Sequence, residues 1–263
     1  MQIYSIDRKP FAMQRYLNCG SHGRTETAHL RWYRGEVDHL PRGCDALLCA
    51  SDLQGRAVGD YRAHGGEAKL LGEIVAEYLV ELAEQGAAPL PDRVGVLLAG
   101  DLYCVPGANK RGGFGRIAPV LSAFETHCKW VVAVAGNHDD LSGAPRGVDI
   151  LDGDTVDAGG VRVGGVGLIC GDPSRPGRRA EHDHLALVER VCDDEPEVLL
   201  LHQGPSAIPD RKGHDLIAKL LIEHRVALTV FGHTAWDDPY AQLAPGVGAL
   251  NVHERVVLLS SRA

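Results

Sequence analysis

Short, unbroken apolar runs, each halted by Asp, Asn or His, recur along this 263-residue chain and limit what it can fold into. Residues 45–51 (DALLCAS) lead into Asp52, 94–99 into Gly100-Asp101, and 130–135 into Gly136-Asn137-His138. Farther on, 198–201 delivers His202 and 227–231 delivers Gly232-His233. A run that is apolar at every position, yet too short for a helix, reads as a strand covered on both faces. Between these runs lie helical periods. In 67–85 the residues Leu70/Leu71, Ile74/Val75, Tyr78/Leu79 and Leu82 repeat at helical spacing, and Gly86 ends the segment. Helices are also expected over 117–128, 182–192 and 215–223. Short strands are expected at 155–157 and 161–166 around a Gly159-Gly160 turn, and 250–252 with 256–260 reads as a closing hairpin-like pair. Strands alternating with helices, then further strands, indicate an α/β fold with mixed sheets. Residues 1–44 fit the alternation poorly. They are expected to be an N-terminal extension, one strand with an irregular stretch, packed on a core domain of 45–263.

Charge and cysteine usage narrow the setting. With 27 Lys+Arg against 35 Asp+Glu the formal net charge is −8, which argues against gripping nucleic acid by bulk charge. A local basic rim around a site is still compatible with that balance. The seven cysteines are an odd number, and no two are spaced as C-x-x-C. Several sit inside apolar runs, the usage expected of a reducing compartment. The first ten residues show no basic-then-apolar pattern, and no apolar run approaches the roughly 20 residues of a membrane span. A cytoplasmic protein with no membrane partner is expected.

Ligands of α/β sheets gather at the carboxyl ends of strands. Here those ends carry Asp52, Asp101, Asn137-His138, His202 and His233. Carboxylate, amide oxygen and imidazole together form a mixed oxygen and nitrogen set that suits Mn²⁺, Fe or Zn²⁺. Singly, each has an ordinary reading: Gly-Asp after a strand is usually a turn, and a lone His beside an apolar run usually packs or faces water. Five strand ends of the same kind point instead to one centre.

The ordered set Ser51-Asp52-Leu53-Gln54-Gly55, Gly100-Asp101, Gly136-Asn137-His138-Asp139, His202 and Gly232-His233 resembles the calcineurin-like metallophosphoesterases. The resemblance covers about residues 45–260, and Gly-Asn-His-Asp is its most specific block. It implies a metallophosphoesterase-type α/β sandwich with the metal site at strand carboxyl ends. By position it makes Asp101 the carboxylate shared by two metals, with Asn137, His202 and His233 completing the second metal's shell. His138 falls where the family steadies the transition state or protonates the leaving oxygen. The implied reaction is hydrolysis of a phosphodiester or phosphomonoester by attack of a metal-bound water or hydroxide. The implied cofactor is one or two divalent ions, Mn²⁺ first, with Fe, Zn²⁺ or Mg²⁺ as alternatives.

Two departures concern the first metal. The family's Asp-x-His reads Asp52-Leu53-Gln54 here, and its Gly-His-x-His reads Gly232-His233-Thr234-Ala235. What is left is Asp52, Asp101 and the amide oxygen of Gln54, an oxygen shell that favours a hard cation such as Mn²⁺ or Mg²⁺ and binds it weakly. One firmly held and one labile ion are expected, with Asp237, Asp238 or His253 as candidate replacement ligands. The block Gly100-Asp101-Leu102-Tyr103-Cys104 also lacks the second aspartate of the protein-phosphatase version. That points toward the phosphodiesterase and small-molecule phosphatase branches.

Candidate rim residues for substrate are Lys110, Arg111 and Arg116 of the basic loop 109–116; a second basic stretch, with Arg175, Arg178 and Arg179, is read as a solvated loop. Arg in such loops holds further phosphates through paired hydrogen bonds, unless the loops are simply solvated. The expected partner is a phosphorylated small molecule or nucleotide-like substrate; a nuclease using the same metals is disfavoured by the net charge. A lapsed or substrate-trapping relative that binds a phosphorylated ligand without turnover is the rival reading. His182 and His184, near a helix start and on different faces, are read as non-ligands.

Overall fold

The protein is described here from a computed structural model, covering residues 1–20, 23–59, 67–208 and 210–262. In chain order the strands are β1 (Ile3–Ile6), β2 (Ala12–Cys19), β3 (Thr25–Val37), β4 (Ala46–Ser51), β5 (Val94–Leu98), β6 (Gly115–Arg116), β7 (Trp130–Ala133), β8 (Asp139–Asp140) and β9 (Val148–Ile150). They continue as β10 (Asp154–Ala158), β11 (Val161–Val166), β12 (Ile169–Cys170), β13 (Arg178–Arg179), β14 (Val198–Gln203), β15 (Leu228–Gly232), β16 (Tyr240–Ala244), β17 (Val247–Asn251) and β18 (Arg255–Ser261). The helices are α1 (Leu71–Glu84), α2 (Ala118–His127), α3 (Glu181–Asp193) and α4 (Asp215–Glu223).

Two sheets stack face to face, with helices on the outer face of each. The first runs β1-β3-β18-β4-β5-β7-β9 with β2 added on β3, and the second runs β10-β11-β14-β15-β17-β16. Alternation along each strand divides the apolar residues between layers. In β4, Ala46, Leu48 and Ala50 pack toward α1 and α2, while Leu47 and Cys49 pack between the sheets. In β14, Val198 and Leu200 face the other sheet, and Leu199 and Leu201 face α3 and α4. Burial on both faces is the reason these strands read as continuous apolar runs. The β4, β5 and β7 strands are mutually parallel, as are β11, β14, β15 and β17. Their carboxyl ends therefore meet along one seam.

Three sequence expectations are corrected. Residues 1–44 hold three strands rather than one with an irregular stretch, and β3 pairs in parallel with β18 over Arg31–Val37. The alternation that marks β3 changes phase along the strand, with Leu30 and Trp32 buried on one face and Val37 on the other, and charged side chains interrupt it on both. Second, 250–252 and 256–260 are not a hairpin. The β17 strand pairs with β15 and β16, whereas β18 pairs with β3 and β4 in the other sheet. A hairpin and a sheet-switching connection have the same local pattern, and only the available partners separate them. Third, α1 begins at Leu71 instead of 67, where Glu73 reaches back to accept from the Leu70 N–H. All seven cysteines carry free thiols. Among the described residues no helix is long and apolar enough to cross a membrane.

Trp32 shows how firmly the N-terminal strands are joined to the rest. Its ring is fully buried, edge-on to Phe11 and to Tyr78 of α1, with centroids 6.5 and 5.5 Å away. Trp32→Ala is expected to lower stability by about 3–5 kcal/mol in urea unfolding. A loss below about 1 kcal/mol would mean that these N-terminal strands are a dispensable attachment.

Candidate metal centre

Three strand ends turn sharply enough to force residues other than glycine into the left-handed region. Asp52 after β4, Asp101 after β5 and His233 after β15 have φ of 55, 56 and 65°. Such backbone is uncommon outside glycine and clusters at functional sites. The turns also come very close together. A Cβ on Gly136 would collide with the Asp101 carboxylate, and one on Gly232 with Ser51 and the Asp52 carboxylate. Glycine before Asn137 and before His233 is thus required by the close approach of neighbouring loops.

The result is a cluster of donors almost out of water. One ligand atom each from Asp101, His202 and His233 lies within 4.8 Å of the others. His202 is completely buried, and its Nδ1–H donates to the Ala99 carbonyl at 2.7 Å. That fixes the tautomer: in the neutral ring Nε2 is a lone pair. Nε2 faces Asn137 Oδ1 at 3.2 Å and Asp101 Oδ1 at 3.4 Å, both acceptors. Burial opposes charging His202, but Asp101, Asp52 and the Ala99 carbonyl outweigh it and push its pKa up to about 9. His233, with its ring 5.2 Å from that of His202, is pushed down to about 4 by burial and by that neighbour. A site that grips a proton between acceptors is equally suited to a cation, so the residues present fit a divalent metal.

Around this core stands a scaffold of hydrogen bonds. Asp52 Oδ2 accepts from Ser51 Oγ at 2.6 Å and from the His233 N–H at 2.9 Å. Its Oδ1 is 3.0 Å from Nδ1 of His253. Burial disfavours the Asp52 anion, yet His253, His202 and Ser51 outweigh it and lower its pKa to about 2. Asp101 Oδ1 accepts from the His138 N–H at 3.0 Å. His138 Nδ1–H donates to the Gly113 carbonyl at 2.5 Å, which leaves Nε2 turned to the cleft, 3.9 Å from Asp101 Oδ2.

Asp139 is the residue whose work the sequence left unassigned. It is buried, and its two oxygens take the backbone N–H groups of Asp101, Leu102, Tyr103 and Gly136 at 2.7–3.2 Å. Burial and the Asp101 charge raise its pKa to about 6. Position in the Gly-Asn-His-Asp block was the available clue. Arg56, likewise unsuspected, is buried and donates through Nε to the Cys104 carbonyl at 3.0 Å, fixing the loop after Asp101.

The family profile described as calcineurin-like phosphoesterase matches residues 46–237. The chain belongs to the calcineurin-like phosphoesterase family. The crystal structure of TT1561 from Thermus thermophilus is similar, at 16% identity, 79% coverage of this chain, 88% of that one and a TM-score of 0.51. A second crystal structure aligns at 12% identity over 84% of this chain and 95% of its own, with a TM-score of 0.53. These two likenesses concern the fold alone. No curated protein shows significant similarity to this chain.

The remaining predicted site residues divide between those the fold gathers and those it does not. Gln54 reaches the centre with Nε2, which donates to Asp101 Oδ2 at 3.1 Å, whereas the ligand atom expected there is its amide oxygen. Lys110 and Arg111 line a cavity of about 130 Å³ together with Gln54 and His253. Arg116 does not join them. It is exposed, 4.0 Å from Asp140, and borders a separate cavity with Arg56 and Tyr103. Arg179 is paired with Asp152 at 2.7 Å. Asp237 and Asp238 are exposed, Asp238 pairing with Arg211 at 3.1 Å. His182 is exposed and His184 buried, on different faces of α3. A larger cavity of about 520 Å³ adjoins the centre, and Tyr16, His29, Arg31, Ala235, His253 and Arg255 help to line it.

Asp139→Asn keeps the shape but turns an NH₂ group toward backbone donors that need an acceptor. It is expected to cost about 1–3 kcal/mol in denaturant unfolding with chelator present, because buried N–H groups lose their partner. Unchanged stability would show that the four contacts carry no net weight.

Proposed function

We propose that this chain hydrolyses phosphate esters, either phosphodiesters or phosphomonoesters of small or nucleotide-like molecules, with a divalent metal for which Mn²⁺ is the first candidate. The observation that carries the reading is the buried meeting of Asp101, His202 and His233, whose ligand atoms lie within 4.8 Å of one another, beside the outward-facing Nε2 of His138. Asp101, Asn137, His202 and His233 would hold one ion, and Asp52 with Asp101 would hold its neighbour. Bound there, the ions would neutralise phosphoryl oxygens and acidify the attacking water.

The protein's own groups supply the rest. The Ala99 carbonyl keeps the His202 lone pair directed at the centre. The Gly113 carbonyl does the same for His138, whose Nε2 is thereby placed to give or share a proton with the leaving oxygen. Lys110 and Arg111 line the small cavity at the edge of the site, where cationic side chains attract an anionic ester. Arg31 and Arg255 stand directly opposite each other on β3 and β18 and both border the larger cavity. Glu254 borders the same cavity and Arg255 donates to the His253 and Trp236 carbonyls, so the positive charge there comes chiefly from Arg31, which would attract negative charge on a substrate beyond the scissile phosphate. This favours a nucleotide-like or multiply phosphorylated substrate.

A binding-only relative is the second reading. It draws on Gln54, which already donates to the Asp101 oxygen on the side of the first ion. Turnover of a chromogenic phosphodiester and of the matching monoester, with Mn²⁺ added, separates the two. Hydrolysis of at least one is expected, falling by more than about 100-fold in His202→Ala. Tight Mn²⁺ binding with no hydrolysis of either ester would favour the binding protein.

A further inference from the structure

Position 253 follows the rule that places the other donors. The β17 strand lies parallel to β15, so the carboxyl ends of both face the same seam, and His253 follows β17 as His233 follows β15. A parallel backbone bridge ties residue 253 to Ser51, immediately before Asp52. The main chain that carries the imidazole is therefore held by backbone pairing. Its Nδ1 is shielded from solvent and stands 3.0 Å from Asp52 Oδ1, yet the two atoms are not aligned as a hydrogen bond. Asp52 Oδ1 has the capacity for another partner, because Ser51 and the His233 N–H both go to Oδ2. Two ligands on adjacent corners of an octahedral ion, each about 2.1 Å from it, are about 3 Å apart and aim their lone pairs at the ion instead of at each other.

The other positions offer no such nitrogen. Gln54 directs its NH₂ to Asp101, and the side chain of Ala235 ends at Cβ. Ala235 and His253 border the same 520 Å³ cavity, so the short side chain leaves the approach to Asp52 open. Residue 253 lies in the connection that leaves β17 in one sheet and enters β18 in the other, and that sheet switch brings it to Asp52. We infer that His253 is the imidazole ligand of the first metal ion, acting with Asp52 and Asp101 in place of the histidines absent at 54 and 235. The inference rests on the metallophosphoesterase reading. It replaces the oxygen-only shell by one with a nitrogen donor, which shifts preference from Mg²⁺ toward Mn²⁺, Fe or Zn²⁺ and binds the ion more firmly.

The test is Mn²⁺ stoichiometry and affinity by equilibrium dialysis with metal quantification, with folding of each variant followed by circular dichroism. The full chain is expected to bind two Mn²⁺, the number a paired-metal site requires. His253→Ala should weaken one of them by more than about 100-fold, beyond the roughly 10–100-fold that losing a mere hydrogen-bond partner of a ligand costs, and leave the other unchanged. His253→Gln keeps the size and an oxygen donor; it should give an intermediate loss at the same ion, and it serves if the alanine variant does not fold. His202→Ala should strike the other ion instead. Retention of both ions at unchanged affinity in the His253 variants would overturn the inference. So would a single ion in the wild type that His202→Ala removes and the His253 variants leave alone: His253 would then be only a charge partner of Asp52, and the phosphoesterase reading would stand. A wild-type chain that binds no Mn²⁺, Fe or Zn²⁺ would defeat both readings together.

Discussion

Two carboxylates and an imidazole lone pair meet at the seam between the sheets with little water to screen them, and much of the surrounding structure answers to that fact. Asp52 and Asp101 are only 6% and 3% exposed, and His202 turns Nε2 toward oxygen atoms that can only accept. Burying negative charge without compensation is costly. Part of the compensation is local, from Ser51 Oγ and from the N–H groups of His138 and His233. A cation at the centre would supply the remainder. The left-handed turns at Asp52, Asp101 and His233 are the backbone cost of bringing the donors together.

Precision comes from a layer behind the donors. Asp139 collects four backbone N–H groups from the loops after β5 and β7 and so locks those loops to one another. The carbonyls of Ala99 and Gly113 set the tautomers of His202 and His138. Supporting contacts of this kind fix ligand orientation and tune the centre they surround. They also explain the demand for glycine at 136 and 232, where any side chain would occupy the space of a carboxylate.

Much of this was legible in the residues themselves. The core strands announce themselves because burial on both faces requires apolar residues at every position, as in β4 and β14. Asp52, Asp101, Asn137, His202 and His233 stand out because each interrupts such a run at its carboxyl end. The N-terminal strands were less legible. The β3 strand is covered over only part of its length and carries charged residues on both faces, Arg31 on one and Arg34 with Glu36 on the other. The loop residues separated in space for reasons no spacing reveals: Lys110 and Arg111 fold toward Gln54, whereas Arg116 joins the short β6 strand and faces Asp140.

The sequence by itself determined the layered α/β architecture and the set of donors at the strand ends, because periodicity and burial act on neighbouring residues. It also marked Gln54 and Ala235 as positions without an imidazole, which is a matter of residue identity alone. Only the tertiary structure decided that β17 and β18 part company and enter different sheets. Strand pairing is a long-range choice among partners, and a short polar connection is compatible with either outcome. That choice places His253 against Asp52, about 200 residues away in the chain, where loop closure is unfavourable until the two sheets have packed.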